Sequence, residues 1–197
     1  QSYPKNERKN IAELHINNKN LEDYLDLSDF LNLKHLDCSN NRLASLNVTS
    51  CLQLKTIQCD SNELTSLDLN GLSQLSAISC GDNYLTSFDC FHSNLNFENL
   101  IALNIENNNF TKQDLSCVSH LTNLQYLFIG NNKKERIEKN IYNRFCGSLE
   151  PLKNISGLEV LGISNTDINS GLEYLPKSLS VENIYYSSEY RPESQAK

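Results

Sequence analysis

Residues 33–43 read LKHLDCSNNRL, residues 54–64 read LKTIQCDSNEL, and residues 75–85 read LSAISCGDNYL. The three stretches lie 21 residues apart and share the template L-x-x-L-x-L/C-x-x-N-x-L. A fourth copy, LIALNIENNNF, occupies 100–110. Leu124, Leu127, Ile129 and Asn132 give a fifth, with Lys134 in its last apolar slot. Leu158, Leu161, Ile163 and Ile168 give a sixth, with Thr166 in the Asn slot. Weaker copies flank these: Ile11, Leu14, Ile16 and Leu21 with Lys19 in the Asn slot, and Val181, Ile184 and Tyr186 at the far end. The eight copies start at 11, 33, 54, 75, 100, 124, 158 and 181, and are numbered here as coils 1 to 8, with template positions as slots 1 to 11.

A fixed period of this length is the signature of a stacked array, in which each unit buries its apolar slots only against its neighbours. The pattern resembles a leucine-rich repeat. That resemblance implies an α/β solenoid of about eight turns, with one curved parallel sheet on the concave face built from the short L-x-L segment of each turn, slots 4 to 6. The slot 9 asparagines are expected to turn inward and bond backbone groups at the strand-to-loop bend, where no ladder partner exists. Coils of 21 residues are too short for a convex helix, so the convex side is expected to be irregular or 3₁₀.

The evenly spaced Cys38, Cys59 and Cys80 fill the slot held elsewhere by Ile16, Ile105, Ile129 and Ile163. Cys51 matches Leu72, and Cys90 matches Val48 and Leu69. They read as small buried hydrophobes. Neighbouring in-register strands lie about 4.8 Å apart, too far for the ~3.8 Å Cβ separation of a disulfide. Seven cysteines is also an odd number. Cys90 with His92 and Cys117 with His120 could supply four zinc ligands, but neither spacing is a strong zinc motif, and no metal or other cofactor is expected.

The step from 124 to 158 is 34 residues and contains an insertion. Ile137, Ile141 and Phe145 recur every four residues and predict a short helix ending near Gly147. The chain thus reads as one domain over 1–197: a partial N-terminal cap at 1–10, regular repeats at 11–132, a helical insertion at 133–157, and the last repeats with a C-terminal cap at 158–197. Met is absent throughout, including at position 1, so the chain is expected to be a piece of something longer. No apolar run is long enough to span a membrane, and no leader is visible. Buried thiols favour a reducing compartment over secretion. Net charge is −7, which argues against a nucleic-acid partner. No phosphate-binding glycine loop, nucleophile elbow or acid–base pair appears, so no enzymatic role is expected.

The candidate working surface is the solvent side of the sheet, formed by slots 2, 3, 5, 7 and 8. It carries seven acids, among them Asp37, Asp60 and Glu106, against only Lys34 and Lys55. Towards its far end stand Tyr126, Phe128, Val160 and Tyr185, beside the small Gly130 and Gly162. Clustered aromatics on a rigid surface are typical anchors for a binding partner. The expected partner is a protein or peptide, basic or of mixed charge, bound to a monomer. The insertion could instead fold over Tyr126 and Phe128 and bury them.

Two finer resemblances bear on function. Residues 33–90, with cysteine in slot 6 and TSLDL following, are similar to the cysteine-ladder repeats of bacterial internalins. The segments YPKNERKNIAEL, NKNLEDYLDLSDF, IEKNIYNRFCGSLEPLKN and TDINSGLEYLPKSL, with RPES after it, resemble leucine-rich-repeat domains of symbiotic soil fungi, which often accompany kinase-like domains. The resemblance implies a non-catalytic recognition role within a larger protein. A secreted or surface adhesin or effector, and a carbohydrate-binding module, are the alternatives.

Overall fold

The computed structural model describes residues 3–87 and 97–194. Eight short strands, Glu13–His15, His35–Asp37, Thr56–Gln58, Ala77–Ser79, Ala102–Asn104, Tyr126–Phe128, Val160–Gly162 and Ile184–Tyr185, form one sheet in chain order. All neighbours are parallel and pair slot against slot, so Leu14, Leu36, Ile57, Ile78, Leu103, Leu127, Leu161 and Ile184 form a single inward row. Each strand contributes only one residue to the core, so a one-residue slip would turn that residue outward.

The opposite side carries 3₁₀ turns at Leu115–Val118, Glu150–Leu152 and Leu172–Tyr174. It also has two small parallel sheets, Glu22–Asp26 with Arg42–Asn47 and Cys146–Ser148 with Asp167–Ser170. Coils this short leave room for nothing wider, as their length predicts.

In coils 2 to 6 the slot 6 column is closed to solvent: Cys38, Cys59, Cys80, Ile105 and Ile129 are fully buried, and Cys51 lies buried on the convex side. No disulfide joins the six described cysteines; Cys90 lies outside the described residues. Burial pushes the Cys38 thiol up to about 12 and that of Cys51 to about 11.

Beside this column runs the asparagine ladder. Asn62 Nδ2 donates to the carbonyls of Cys38 and Cys59, and its Oδ1 accepts from Leu43 N. Asn83 repeats the pattern with Cys59, Cys80 and Leu64, and Asn108 with Cys80, Ile105 and Leu85. Each amide therefore ties two coils together where the chain bends out of the sheet. In coil 7 the buried Thr166 keeps one such bond, donating to Ile163 O at 2.7 Å. The preceding slot 8 is left-handed in six of the eight coils, Asn131 and Ser188 being the exceptions. Asn18, Asn40, Ser61, Asp82, Asn107 and Asn165 all adopt positive φ, a region that short polar side chains tolerate best after glycine. Five of those six residues are Asn or Asp, which accounts for part of the asparagine excess.

Coil 6 departs from the expected reading. Asn132 is exposed and is not in the ladder. The slot is filled by Asn143, whose Nδ2 donates to Ile105 O and Ile129 O and whose Oδ1 accepts from Phe110 N. Slot 11 is accordingly the fully buried Phe145 and not Lys134. Phe145 packs on Phe110 of coil 5, with ring centroids 5.6 Å apart. Leu149, Leu152 and Ile155 then continue the core into coil 7. The insertion is therefore 132–142, not 133–157, and without it the step would have an ordinary length. Its helix is only Lys134–Glu138, with no buried residue. The four-residue spacing misled because Phe145 belongs to the coil, not to the helix.

The insertion lies along the rim beyond the strand ends. Asn107 Oδ1 accepts from the backbone of Asn132 and Lys133, Arg136 donates to Asn83 O, and its guanidinium sits 4.6 Å above the Tyr84 ring. At its other end, Tyr142 lies under both Arg144 and Arg191. Arg191 is buried, bonds Asn165 O and pairs with Asp167, so the RPES segment caps the polar end of the ladder. The expected C-terminal lid is only partial: Leu172, Val181 and Tyr186 remain exposed around an apolar hollow of about 340 Å³. A larger hollow of about 740 Å³ at the front is lined by Leu14, Ile16, Leu21 and Phe30 among others.

Candidate functional site on the sheet face

The strand register brings the four expected apolar residues together. Val160 pairs with Tyr126, and Gly162 pairs with both Phe128 and Tyr185. Tyr126 is 37% exposed and Tyr185 54%, so the insertion does not bury them; Val160 and Phe128 are half-buried. The Tyr126 hydroxyl donates to Glu159 Oε2 at 3.3 Å, which fixes the ring's outer edge. On the coils before it, slot 3 holds Ala102 and Ala77, so Tyr126 stands above lower ground.

Phe128 owes its position to a glycine. A β-carbon placed on Gly162 would lie 2.6 Å from Phe128 Cδ1, and so any side chain there would expel the ring. The ring lies across Gly162 towards Tyr185, with centroids 6.3 Å apart and planes inclined by 31°. The two form one tilted shelf spanning coils 6 to 8.

The three expected acids divide. Asp37 Oδ1 accepts from the backbone and hydroxyl of Ser39 in its own coil. Asp60 Oδ1 accepts from Ser79 Oγ at 2.6 Å and Gly81 N at 3.0 Å, joining coil 3 to coil 4, and burial raises its pKa. Both acids thus have structural duties. Asp37 also lies four strands from Phe128, about 19 Å away at ordinary strand spacing. Glu106 is different. Its Oε1 is 3.4 Å from the β-carbon position of Gly162, the same position that Phe128 Cδ1 and Cε1 approach. Burial, reinforced by the Asp82 charge, pushes its carboxyl up to about 7, with Lys133 acting in the opposite sense. Lys133 Nζ is 3.9 Å from Asp82, and Asn132 Nδ2 is 3.4 Å from Glu106 Oε2. These two insertion residues were missed in the sequence, because their place on the rim depends on how the insertion folds back.

The metal reading gains nothing. Cys90 and His92 lie outside the described residues. Cys117 Sγ contacts Asp114 O, and burial pushes its thiol up to about 12. Among the described residues, no three His, Cys, Asp or Glu side chains are grouped to hold a metal, and no helix is long and apolar enough to cross a membrane.

No family model and no curated protein matches the chain. Solved structures do. The functional domain of InlJ from Listeria monocytogenes, which includes a cysteine ladder, matches with a TM-score of 0.56 at 21% identity, covering 91% of this chain and 44% of that one. Internalin C2 of the same species matches at 0.63 and 20% identity, covering 94% and 83% respectively. The plant peptide hormone receptor RGFR1, in complex with RGF2, matches at 0.66 and 19% identity, covering 85% of this chain and 27% of the receptor. The chain thus spans less than half of the InlJ domain and of the receptor. These structures do not bear on the resemblance to fungal domains. With the register, the buried cysteine column and the asparagine ladder, they show that the chain folds as a leucine-rich-repeat solenoid.

Proposed function

We propose that this solenoid is a non-catalytic recognition module that binds a protein or peptide, basic or of mixed charge, on the concave face of its sheet. The observation that carries this reading is the group of exposed Tyr126 and Tyr185 with half-buried Phe128, held on coils 6 and 8 in fixed register across coil 7. Stiff aromatic side chains lose little entropy on binding and bury much area, and this makes them effective anchors. The surrounding slots carry a net charge of −5, counting seven acids and two lysines. That field favours a cationic partner and speeds its encounter. A plant peptide hormone receptor of similar fold, RGFR1, is known in complex with RGF2, which supports a protein or peptide as the kind of partner.

The test is selection from a random dodecapeptide display library on the intact chain. Selected peptides should perturb NMR signals of slots 3, 5 and 7 in coils 4 to 8, and should lose binding to the Y126A/Y185A variant. Both tyrosines are exposed, so the variant should melt as the parent does. Peptides that map to the convex side, or bind the variant unchanged, refute the reading. A carbohydrate-binding face would instead give glycan-array signals lost in the same variant.

A further inference from the structure

We propose that Glu106, Phe128 and Tyr185 form a seat for one cationic side chain of the bound partner, best filled by arginine. This rests on the sheet face being the binding surface and names the chemistry of its central contact. The Phe128 and Tyr185 rings, inclined by 31° and 6.3 Å apart, offer a nearly continuous π surface. The Glu106 carboxylate is close by, its Oε1 3.4 Å from the β-carbon position of Gly162 that the Phe128 ring also approaches. A planar guanidinium satisfies both at once, stacking on the rings while donating two parallel bonds to the carboxylate. An ammonium can do only one of these well.

The charges around the seat support a cation arriving from outside. Facing Glu106 are Asp82 from coil 4, Lys133 from the insertion and the amide of Asn132. Lys133 lies 3.9 Å from Asp82, half exposed, so the local cation is shared with a second acid. Burial and Asp82 together hold the Glu106 carboxyl at about 7, so it is only part-ionised at neutral pH. A guanidinium favours the ionised form. Binding should therefore strengthen as pH rises from 5 to 8, and should release a proton near neutrality. Glu159 is bonded to Tyr126 at the far side of the patch and is not part of the seat.

The experiment titrates the intact chain with N-acetyl-argininamide, using the neutral isostere N-acetyl-citrulline amide as control. NMR follows the Glu106 side-chain carboxyl carbon and the Phe128 and Tyr185 ring signals. Expected is a saturable shift of all three signals with the arginine probe at pH 8, about tenfold weaker binding at pH 5, and no comparable shift with citrulline. The Glu106 titration midpoint should fall in the presence of the probe. E106Q should remove the pH dependence without changing the fold, and Y185A should weaken binding while leaving the Glu106 midpoint of the free chain in place. An unmoved Glu106 signal, or equal shifts from citrulline, overturns the seat. Library peptides that bind the face without arginine or lysine enrichment, and bind E106Q equally, also overturn it while leaving the wider reading of the face intact. A face that binds no peptide defeats both.

Discussion

Replacing Asn143 with alanine should destabilise the solenoid severely, whereas replacing Asn132 should hardly matter. Asn143 is fully buried and makes three side-chain bonds: to Ile105 O at 2.8 Å, to Ile129 O at 3.0 Å, and from Phe110 N at 3.4 Å. At about 1 kcal/mol net per bond these are worth roughly 3 kcal/mol. Ile105 O keeps Asn108 as a partner, but Ile129 O loses the amide that satisfies it, adding roughly 1 kcal/mol or more for a buried acceptor left bare. The expected loss is therefore about 3–5 kcal/mol, a large share of the stability of a domain this size. Asn132 is exposed, with one 2.8 Å bond from Asn107 and a 3.4 Å contact to Glu106. Its removal should cost under about 1 kcal/mol. Urea unfolding followed by far-UV circular dichroism measures both, with N83A as the regular-coil comparison. N143A should resemble N83A in midpoint. A change in slope would show the last coils detaching separately, since contacts in a stacked array are only between neighbours. If N132A loses as much as N143A, or N143A loses less than about 1 kcal/mol, the assignment of coil 6 is wrong.

Deleting 132–142 joins slot 8 directly to slot 9, as in the other coils, so the shortened chain should keep its sheet and unfold cooperatively by circular dichroism; a collapsed or aggregated product would show that the insertion is integral to the core. G162A should displace the Phe128 ring, because the new methyl would sit 2.6 Å from Cδ1; an unchanged Phe128 ring-current pattern in NMR would contradict that geometry. Glu106 binds its extra proton in the folded state between the ordinary 4.5 and about 7. Its ionisation therefore opposes folding above that window, and stability falls as pH rises through it. E106Q should accordingly gain stability over the parent at pH 8 and lose that advantage by pH 4.5, checked by thermal melts across the range; an equal gain at both ends would mean the carboxyl titrates normally. With thiol pKa values near 12 and 11, Cys38 and Cys51 hold roughly one thiolate in ten thousand and one in a thousand at pH 8. Both should react with a disulfide reagent only as the chain unfolds; fast labelling in the native state would place them outside the core.

The amino-acid sequence by itself determined the repeat. Leucine, cysteine and asparagine recur at fixed offsets within each coil, and those offsets alone settle which residue faces the core, which faces solvent and which reaches the bend. Eight coils, the Cys38–Cys59–Cys80 column and the bonds of Asn62, Asn83 and Asn108 all follow from that local spacing. Tyr126, Phe128, Val160 and Tyr185 could likewise be brought together on paper, since register carries one coil onto the next. The tertiary structure decided what the period does not specify. Asn131 or Asn132 could be continued by any asparagine that returned to the bend, and only packing of Phe145 on Phe110 selects Asn143. The insertion could lie over the sheet or beside it, and the contacts of Arg136 with Asn83 and Tyr84 place it on the rim. Asp37, Asp60 and Glu106 look alike as letters, yet two have structural bonding roles and one stands beside an aromatic shelf. That difference arises between coils, from side chains that meet across tens of residues, where no local pattern records the contact.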